Sequence, residues 1–88
     1  MDKKVSKRRT EKEIMTQSSE LSQFIRKRRK EAGLTQEEFS LRVGVGISFF
    51  KRLETGDDKL QFAKILQVLD YLGAEMVPRM IQEEKIDE

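Results

Sequence analysis

The side chains able to do chemistry in this sequence are hydrogen-bond donors and charged groups rather than nucleophiles or metal ligands. The 88 residues include no Cys and no His. This removes thiol nucleophiles, imidazole bases and the usual zinc ligands. We therefore expect no enzyme, no metal and no cofactor. Charged and hydrogen-bonding side chains remain, and the basic ones among them suit contact with phosphate groups.

The elements that would position polar side chains for binding can be predicted from capping residues and glycines. Thr35 and Glu38 form a capping box, which predicts a helix that starts after Thr35. We expect this helix to end at Gly44, because glycine enters the left-handed region at little cost. The segment 44–46 is then a tight turn, and a third helix is predicted over about 47–54.

Two short helices joined by such a turn are typical of a helix-turn-helix. Ser40 is small where the two helices would cross, and Val45 follows the turn as a core residue. Phe50 and Leu53 would anchor the second helix from beneath. The alternative is a generic helical hairpin within a bundle.

The rest of the chain divides around this motif. Residues 1–17 are interpreted as a flexible basic arm, 18–73 as the DNA-binding domain, and 74–88 as a short strand followed by an acidic tail. Ser18 or Ser19 is expected to cap a first helix that ends at Gly33, because apolar residues recur there at helical spacing. The predicted fold class is all-α, a compact bundle of four to five helices with a short C-terminal strand able to pair across a dimer.

The predicted fourth helix, over about 60–72, carries apolar residues around most of its circumference. One small core cannot cover both sides of such a helix, which indicates a second subunit as the covering surface. We expect a homodimer. Its predicted interface residues are Val68, Tyr71, Leu72, Met76 and Val77.

Charge is distributed unevenly although the net charge is only +2. Residues 1–17 carry six basic and three acidic side chains, whereas residues 74–88 carry two basic and five acidic ones. A basic N-terminal segment suits contact with phosphates, although a run of charged residues can also be only a solvated surface. No apolar run is long enough to span a bilayer or to act as a secretory signal, so we expect a cytoplasmic protein without a membrane partner.

The stretch 34–40, the glycine turn 44–46 and the stretch 50–56 together resemble the Cro/C1 (Xre) class of phage and bacterial repressors, whose fold is lambda-repressor-like. The resemblance covers about residues 20–73. Within that class, residues 63–69 and the tail after them resemble the HipB-type antitoxins, whose partners are HipA-family kinase toxins.

This resemblance implies roles for individual residues. Double-stranded operator DNA would be contacted by Thr35, Gln36, Ile47, Ser48, Phe49, Lys51 and Arg52. Arg29 and Glu54 match positions that form a structural ion pair in the class. Ile47 and Phe49 depart from the class, where polar residues are frequent, and Phe49 either contacts a base or completes the core. Gln36 either contacts a phosphate or is an ordinary exposed residue.

The function implied is a dimeric transcriptional repressor that autoregulates its operon and acts as the antitoxin of a HipA-like toxin kinase. A stand-alone Xre-family repressor without a toxin is the first alternative. The second alternative is an adaptor that binds protein through the same helix, against which the basic arm and the basic first helix argue.

Overall fold

The computed structural model describes residues 10–80. They form four helices: α1 Glu11–Glu31, α2 Gln36–Val43, α3 Ile47–Glu54 and α4 Phe62–Tyr71. Within these residues there is no strand, and the predicted all-α fold is confirmed. None of the four helices is long and apolar enough to cross a membrane.

Helix α1 begins eight or nine residues earlier than predicted. Thr10 caps it through a complete capping box, in which the Thr10 hydroxyl accepts from the Glu13 N–H at 3.2 Å and Glu13 accepts from the Thr10 N–H at 2.8 Å. The prediction of a flexible arm is therefore wrong for residues 11–17. The spacing of Thr10 and Glu13 is the same as that of Thr35 and Glu38, and it outweighs the weak apolar periodicity of this stretch. Residues 1–9 of the predicted arm lie outside the described residues.

The turn between α2 and α3 depends on a glycine in the left-handed region. Gly44 ends α2 with φ +90°, in the left-handed region, where a side chain would be strained. Gly46 precedes α3 in extended conformation and supplies no side-chain cap. The N–H groups of Gly44 and Val45 both donate to the Ser40 carbonyl, at 2.9 and 3.0 Å. These two bonds satisfy a carbonyl in the last turn of α2 and hold the backbone of the turn against the end of that helix.

The core lies among the four helices and is centred on aromatic contacts. The rings of Phe39 and Phe50 are 5.0 Å apart, and Phe39 meets Tyr71 edge to face at 5.3 Å. Edge-to-face and tilted contacts at this separation are the favourable arrangements for aromatic rings. The buried apolar residues are Ile25, Phe39, Val43, Val45, Phe50, Leu53, Val68 and Leu69.

Side chains of α1 and α4 satisfy carbonyls at the ends of α2 and α3. Ser22 is buried and donates to the Leu53 carbonyl at 2.6 Å, and Ser18 donates to the Gly56 carbonyl at 3.4 Å. Gln67 donates to the Val43 carbonyl at 2.9 Å. The last carbonyls of a helix have no partner within it, so these bonds attach α2 and α3 to the rest of the fold. Ser18 is thus inside α1 and is not its cap.

Residues 74–80 form neither helix nor strand in the single chain. The short strand predicted here is absent, because an extended segment needs a neighbouring strand to accept its backbone hydrogen bonds. No other strand exists between residues 10 and 80 to serve as that partner. Residues 81–88 of the predicted acidic tail lie outside the described residues.

Candidate nucleic-acid interface

The outward side of α3 is polar and lies opposite its buried side. Phe50, Leu53 and Glu54 are buried, and they occupy one side of this two-turn helix. The side chains that share the opposite side are exposed and recur at the spacing of three and four residues: Ser48, Lys51, Arg52 and Thr55. We call this set the α3 polar face. It presents two hydroxyls, one ammonium and one guanidinium.

Ile47 and Phe49 lie at the two margins of the α3 polar face, and both are half-buried. Phe49 packs against the hydrophobic core, and the Lys64 ammonium lies 5.7 Å from its ring centre. At this distance a cation is attracted to an aromatic ring. The sequence left open whether Phe49 is a core residue or a base contact. In the free protein its ring packs partly into the core and leaves the remainder accessible.

Arg52 is held by an acidic residue in the loop that follows α3. Its Nε–H donates to Asp57 Oδ2 at 2.7 Å, and the other Asp57 oxygen accepts the Lys59 backbone N–H at 2.8 Å. The Lys59 N–H and then the Arg52 guanidinium lower the pKa of Asp57 below its usual value. Asp57 is therefore ionised at neutral pH and faces a residue predicted to contact DNA. The spacing of five residues across Gly56 follows no helical pattern, so this pair could not be predicted from sequence periodicity.

Beneath the α3 polar face, Arg29 of α1 forms a two-bonded ion pair with Glu54, the last residue of α3. Arg29 Nε donates to Glu54 Oε2 at 2.8 Å and Arg29 Nη2 donates to Glu54 Oε1 at 3.0 Å. The side chains of Arg29 and Glu54 are only 10% and 1% exposed. Arg29 Nη1 also donates to the Leu34 carbonyl at 2.8 Å. One guanidinium thus joins α1, the loop before α2, and α3.

Gln36 and Thr35, both predicted as DNA contacts, make hydrogen bonds within the protein. Gln36 Nε2 donates to Glu54 Oε1 at 2.9 Å, so Gln36 extends the buried ion pair to the start of α2. The amide nitrogen retains a second hydrogen for another acceptor. The Thr35 hydroxyl accepts the Glu38 N–H at 3.0 Å, which leaves its own hydrogen to donate. Sequence reasoning missed the bond between Gln36 and Glu54.

The residues predicted for a dimer interface divide into buried and exposed ones. Val68 is 0% exposed and belongs to the core of its own chain, so it cannot form part of a subunit surface. Leu72 is half-buried against the same core. Tyr71, Met76 and Val77 are 46%, 42% and 67% exposed. The single chain therefore buries Val68 and part of Leu72, two of the α4 residues that the sequence assigned to a subunit interface.

A family model described as a helix-turn-helix domain matches residues 20–79. The chain belongs to this family. The match contains α2, the glycine turn and α3, together with most of α1 and all of α4.

A relative of the helix-turn-helix domain is also found among curated proteins. It is named "Uncharacterized HTH-type transcriptional regulator y4mF", from Sinorhizobium fredii (strain NBRC 101917 / NGR234). The two sequences are 40% identical over 55 residues, which cover 62% of this chain and 72% of the relative. No solved structure matches the chain significantly.

We predict that removing the charge of Glu54 destabilises the helix-turn-helix domain strongly. Glu54→Gln should lower the free energy of unfolding by about 3 kcal/mol or more, because it leaves the Arg29 guanidinium buried without a charged partner. Urea denaturation measures the change. The matched control is Glu31→Gln, which breaks the exposed pair with Arg28 at 3.2 Å and should change stability by less than about 1 kcal/mol. Equal effects of the two substitutions would contradict the structural role of the buried pair.

Proposed function

We propose that this protein is a sequence-specific DNA-binding regulator of transcription that places α3 in the major groove. The observation that carries the proposal is the α3 polar face: three exposed polar side chains on a short helix and a fourth on its C-cap residue, with the opposite side of the helix anchored in the core. A major groove is wide enough to admit one α-helix, and its base edges are read by donors of this kind. The helix-turn-helix family and the named relative support the same conclusion. Such a regulator would act with the DNA in the cytoplasm.

Within this proposal the predicted contact residues take different roles. Ser48, Lys51 and Arg52 would donate to base edges or to nearby backbone, since all three are exposed on one side of α3. The accessible parts of Ile47 and Phe49 would contact thymine methyl groups.

The start of α2 would contribute to positioning rather than to base reading. Thr35 and Gln36 would contact phosphate at this helix end, where the remaining side-chain hydrogens and the helix dipole favour an anion. Such contacts set the register of the protein on the duplex and carry no sequence information.

The proposal predicts that Arg52 contributes to base preference. Arg52→Ala should cost about 1 to 3 kcal/mol on the preferred duplex and relax the preference at one base position in each half-site, because a donor to a base edge is lost. Affinities for the preferred and scrambled duplexes, measured across a salt series, provide the test. Arg28→Ala is the matched control, since it removes the same charge from the exposed surface of α1. If Arg52→Ala lowers both affinities equally, Arg52 is a backbone contact and the assignment is wrong.

We further propose a homodimer formed through exposed apolar side chains of α1, α4 and the tail. Phe24 and Tyr71 are 41% and 46% exposed, and Met80 is 90% exposed. Leu21, Phe24, Leu69, Met76, Val77 and Met80 line a common groove between α1 and residues 74–80. A contiguous apolar surface of this kind is typical of an interaction site. A second copy of this chain would also bring two tail segments together, which would give each the strand partner that a single chain lacks.

The dimer is tested by a charge placed in the groove. Val77→Asp should raise the dimer dissociation constant by about tenfold or more, because it replaces an apolar contact with a carboxylate that must lose water when the subunits associate. Sedimentation at micromolar concentration measures the association of wild type and variant. Leu41→Asp is the control, because Leu41 is 81% exposed on α2, away from the groove. A wild-type protein that sediments only as a monomer would contradict the dimer.

A finer proposal is that the regulator is the antitoxin of a HipA-like kinase toxin. Its support is the resemblance of residues 63–69 and the following tail to HipB-type antitoxins. Autoregulation by a single domain requires the toxin to bind away from the α3 polar face. We expect a HipA-like kinase to be encoded in the neighbouring reading frame, and size-exclusion chromatography with that kinase and a preferred duplex should yield a ternary complex. Mutually exclusive binding of kinase and duplex would contradict the antitoxin role and leave a stand-alone repressor.

A further inference from the structure

The loop after α3 returns an acidic side chain to the α3 polar face. Asp57 accepts from Arg52 Nε at 2.7 Å with one oxygen and from the Lys59 N–H at 2.8 Å with the other. Each carboxylate oxygen of Asp57 therefore accepts one hydrogen bond, one from a side chain of α3 and one from the loop backbone. The Arg52 side chain remains 55% exposed, and that of Asp57 is 25% exposed.

The contact leaves the distal edge of the Arg52 guanidinium available. A guanidinium has five N–H donors, one on Nε and four on its two terminal nitrogens. Asp57 takes the Nε hydrogen, and within residues 10–80 the two terminal nitrogens make no hydrogen bond. Two parallel N–H groups on one planar edge match the paired acceptors O6 and N7 of guanine.

We propose that Asp57 is a positioning residue for base reading, which holds Arg52 at Nε so that its terminal nitrogens meet a guanine edge. The inference deepens the proposed function and rests on it. A flexible arginine loses side-chain freedom when it binds, whereas Arg52 is already ordered by the carboxylate in the free protein. Asp57 also partly neutralises the charge by which Arg52 would attract any phosphate. Both effects favour discrimination between sequences over general affinity for DNA.

The neighbouring residue Asp58 offers a matched control. It carries the same charge one position along the same loop, is exposed, and makes no side-chain hydrogen bond within the described residues. The loss of either charge should strengthen attraction to phosphates by a similar amount. Only the loss of Asp57 should release the Arg52 side chain.

The experiment uses the full chain, the duplex that it selects from a randomised pool, and a scrambled duplex. Asp57→Asn keeps a carbonyl oxygen to accept from Lys59 and loses the ion pair with Arg52, and Asp58→Asn is the control. Both variants should bind the scrambled duplex slightly more tightly than wild type does. Asp57→Asn alone should lower the ratio of selected to scrambled affinity, by about three- to tenfold. The relaxed base position should be the one that Arg52→Ala relaxes.

Two further measurements separate positioning from a general effect on the loop. In an Arg52→Ala background, which has no side chain for Asp57 to hold, the two asparagine variants should have equal affinity ratios. In the free protein, NMR should show slower solvent exchange of the Arg52 Nε–H in wild type than in Asp57→Asn. Equal exchange would mean that the pair does not form in solution and would overturn the inference.

The outcomes also distinguish this inference from the proposed function. If Asp57→Asn and Asp58→Asn change the affinity ratio alike while Arg52→Ala lowers it, base reading stands and the positioning role is wrong. If Asp57→Asn strengthens binding to the selected duplex more than to the scrambled one, the Asp57 carboxylate competes with the base for Arg52, and the inference is again wrong. If the wild-type chain selects no sequence at all, both the proposed function and the inference fail.

Discussion

The arrangement of this domain depends on one buried ion pair between Arg29 and Glu54. Within residues 10–80, the Arg29 guanidinium donates its hydrogen bonds to two groups, the carboxylate at the end of α3 and the Leu34 carbonyl before α2. Desolvation makes a buried charge unfavourable unless its partner is well placed, and here two parallel bonds meet that condition. Because Glu54 is also the acceptor for Gln36, the start of α2 and the end of α3 share a single carboxylate. The relative placement of the two motif helices is therefore fixed electrostatically as well as by packing.

The remaining polar bonds hold α3 at its C-terminal end. Ser22 and Ser18 of α1 bind carbonyls at or beyond its last turn, and Asp57 is joined to Arg52 from the following loop. The N-terminus of α3 has no side-chain cap, since Gly46 stands there. The C-terminal half of the α3 polar face is thus the more constrained half. Arg52 lies in that half, and ordering before binding favours precise contact with a base.

Helix α4 contributes side chains both to the buried core and to the exposed apolar surface. Val68 and Leu69 complete the core beneath α1 and α2, and Gln67 satisfies the last turn of α2 through the Val43 carbonyl. Tyr71 contacts Phe39 with one part of its ring and leaves nearly half of its surface exposed. Leu69 belongs both to this core and to the groove between α1 and residues 74–80. This continuity gives the proposed dimer surface a direct physical connection to the motif.

Local patterns in the sequence were sufficient to predict the motif. The capping box at Thr35, the glycine at position 44 and the apolar spacing of Phe50 and Leu53 act over a few residues, so they specify α2, the turn and α3 without knowledge of the rest of the fold. The same reasoning applied to Thr10 and Glu13 would have located the true start of α1. The family resemblance, rather than any local pattern, indicated the pairing of Arg29 with Glu54.

The tertiary structure decided which surfaces and partners the side chains have. Val68 and Tyr71 both add to the apolar circumference of α4 in the sequence, but only the packing of α1 and α2 shows that Val68 is enclosed and Tyr71 is half exposed. The bonds of Gln36 to Glu54 and of Arg52 to Asp57 join residues across a turn or a loop, where the path of the backbone sets the distance and no helical or strand period applies. The tail likewise has the composition of a short strand, yet it forms none in a single chain, because a strand exists only where a second strand accepts its hydrogen bonds.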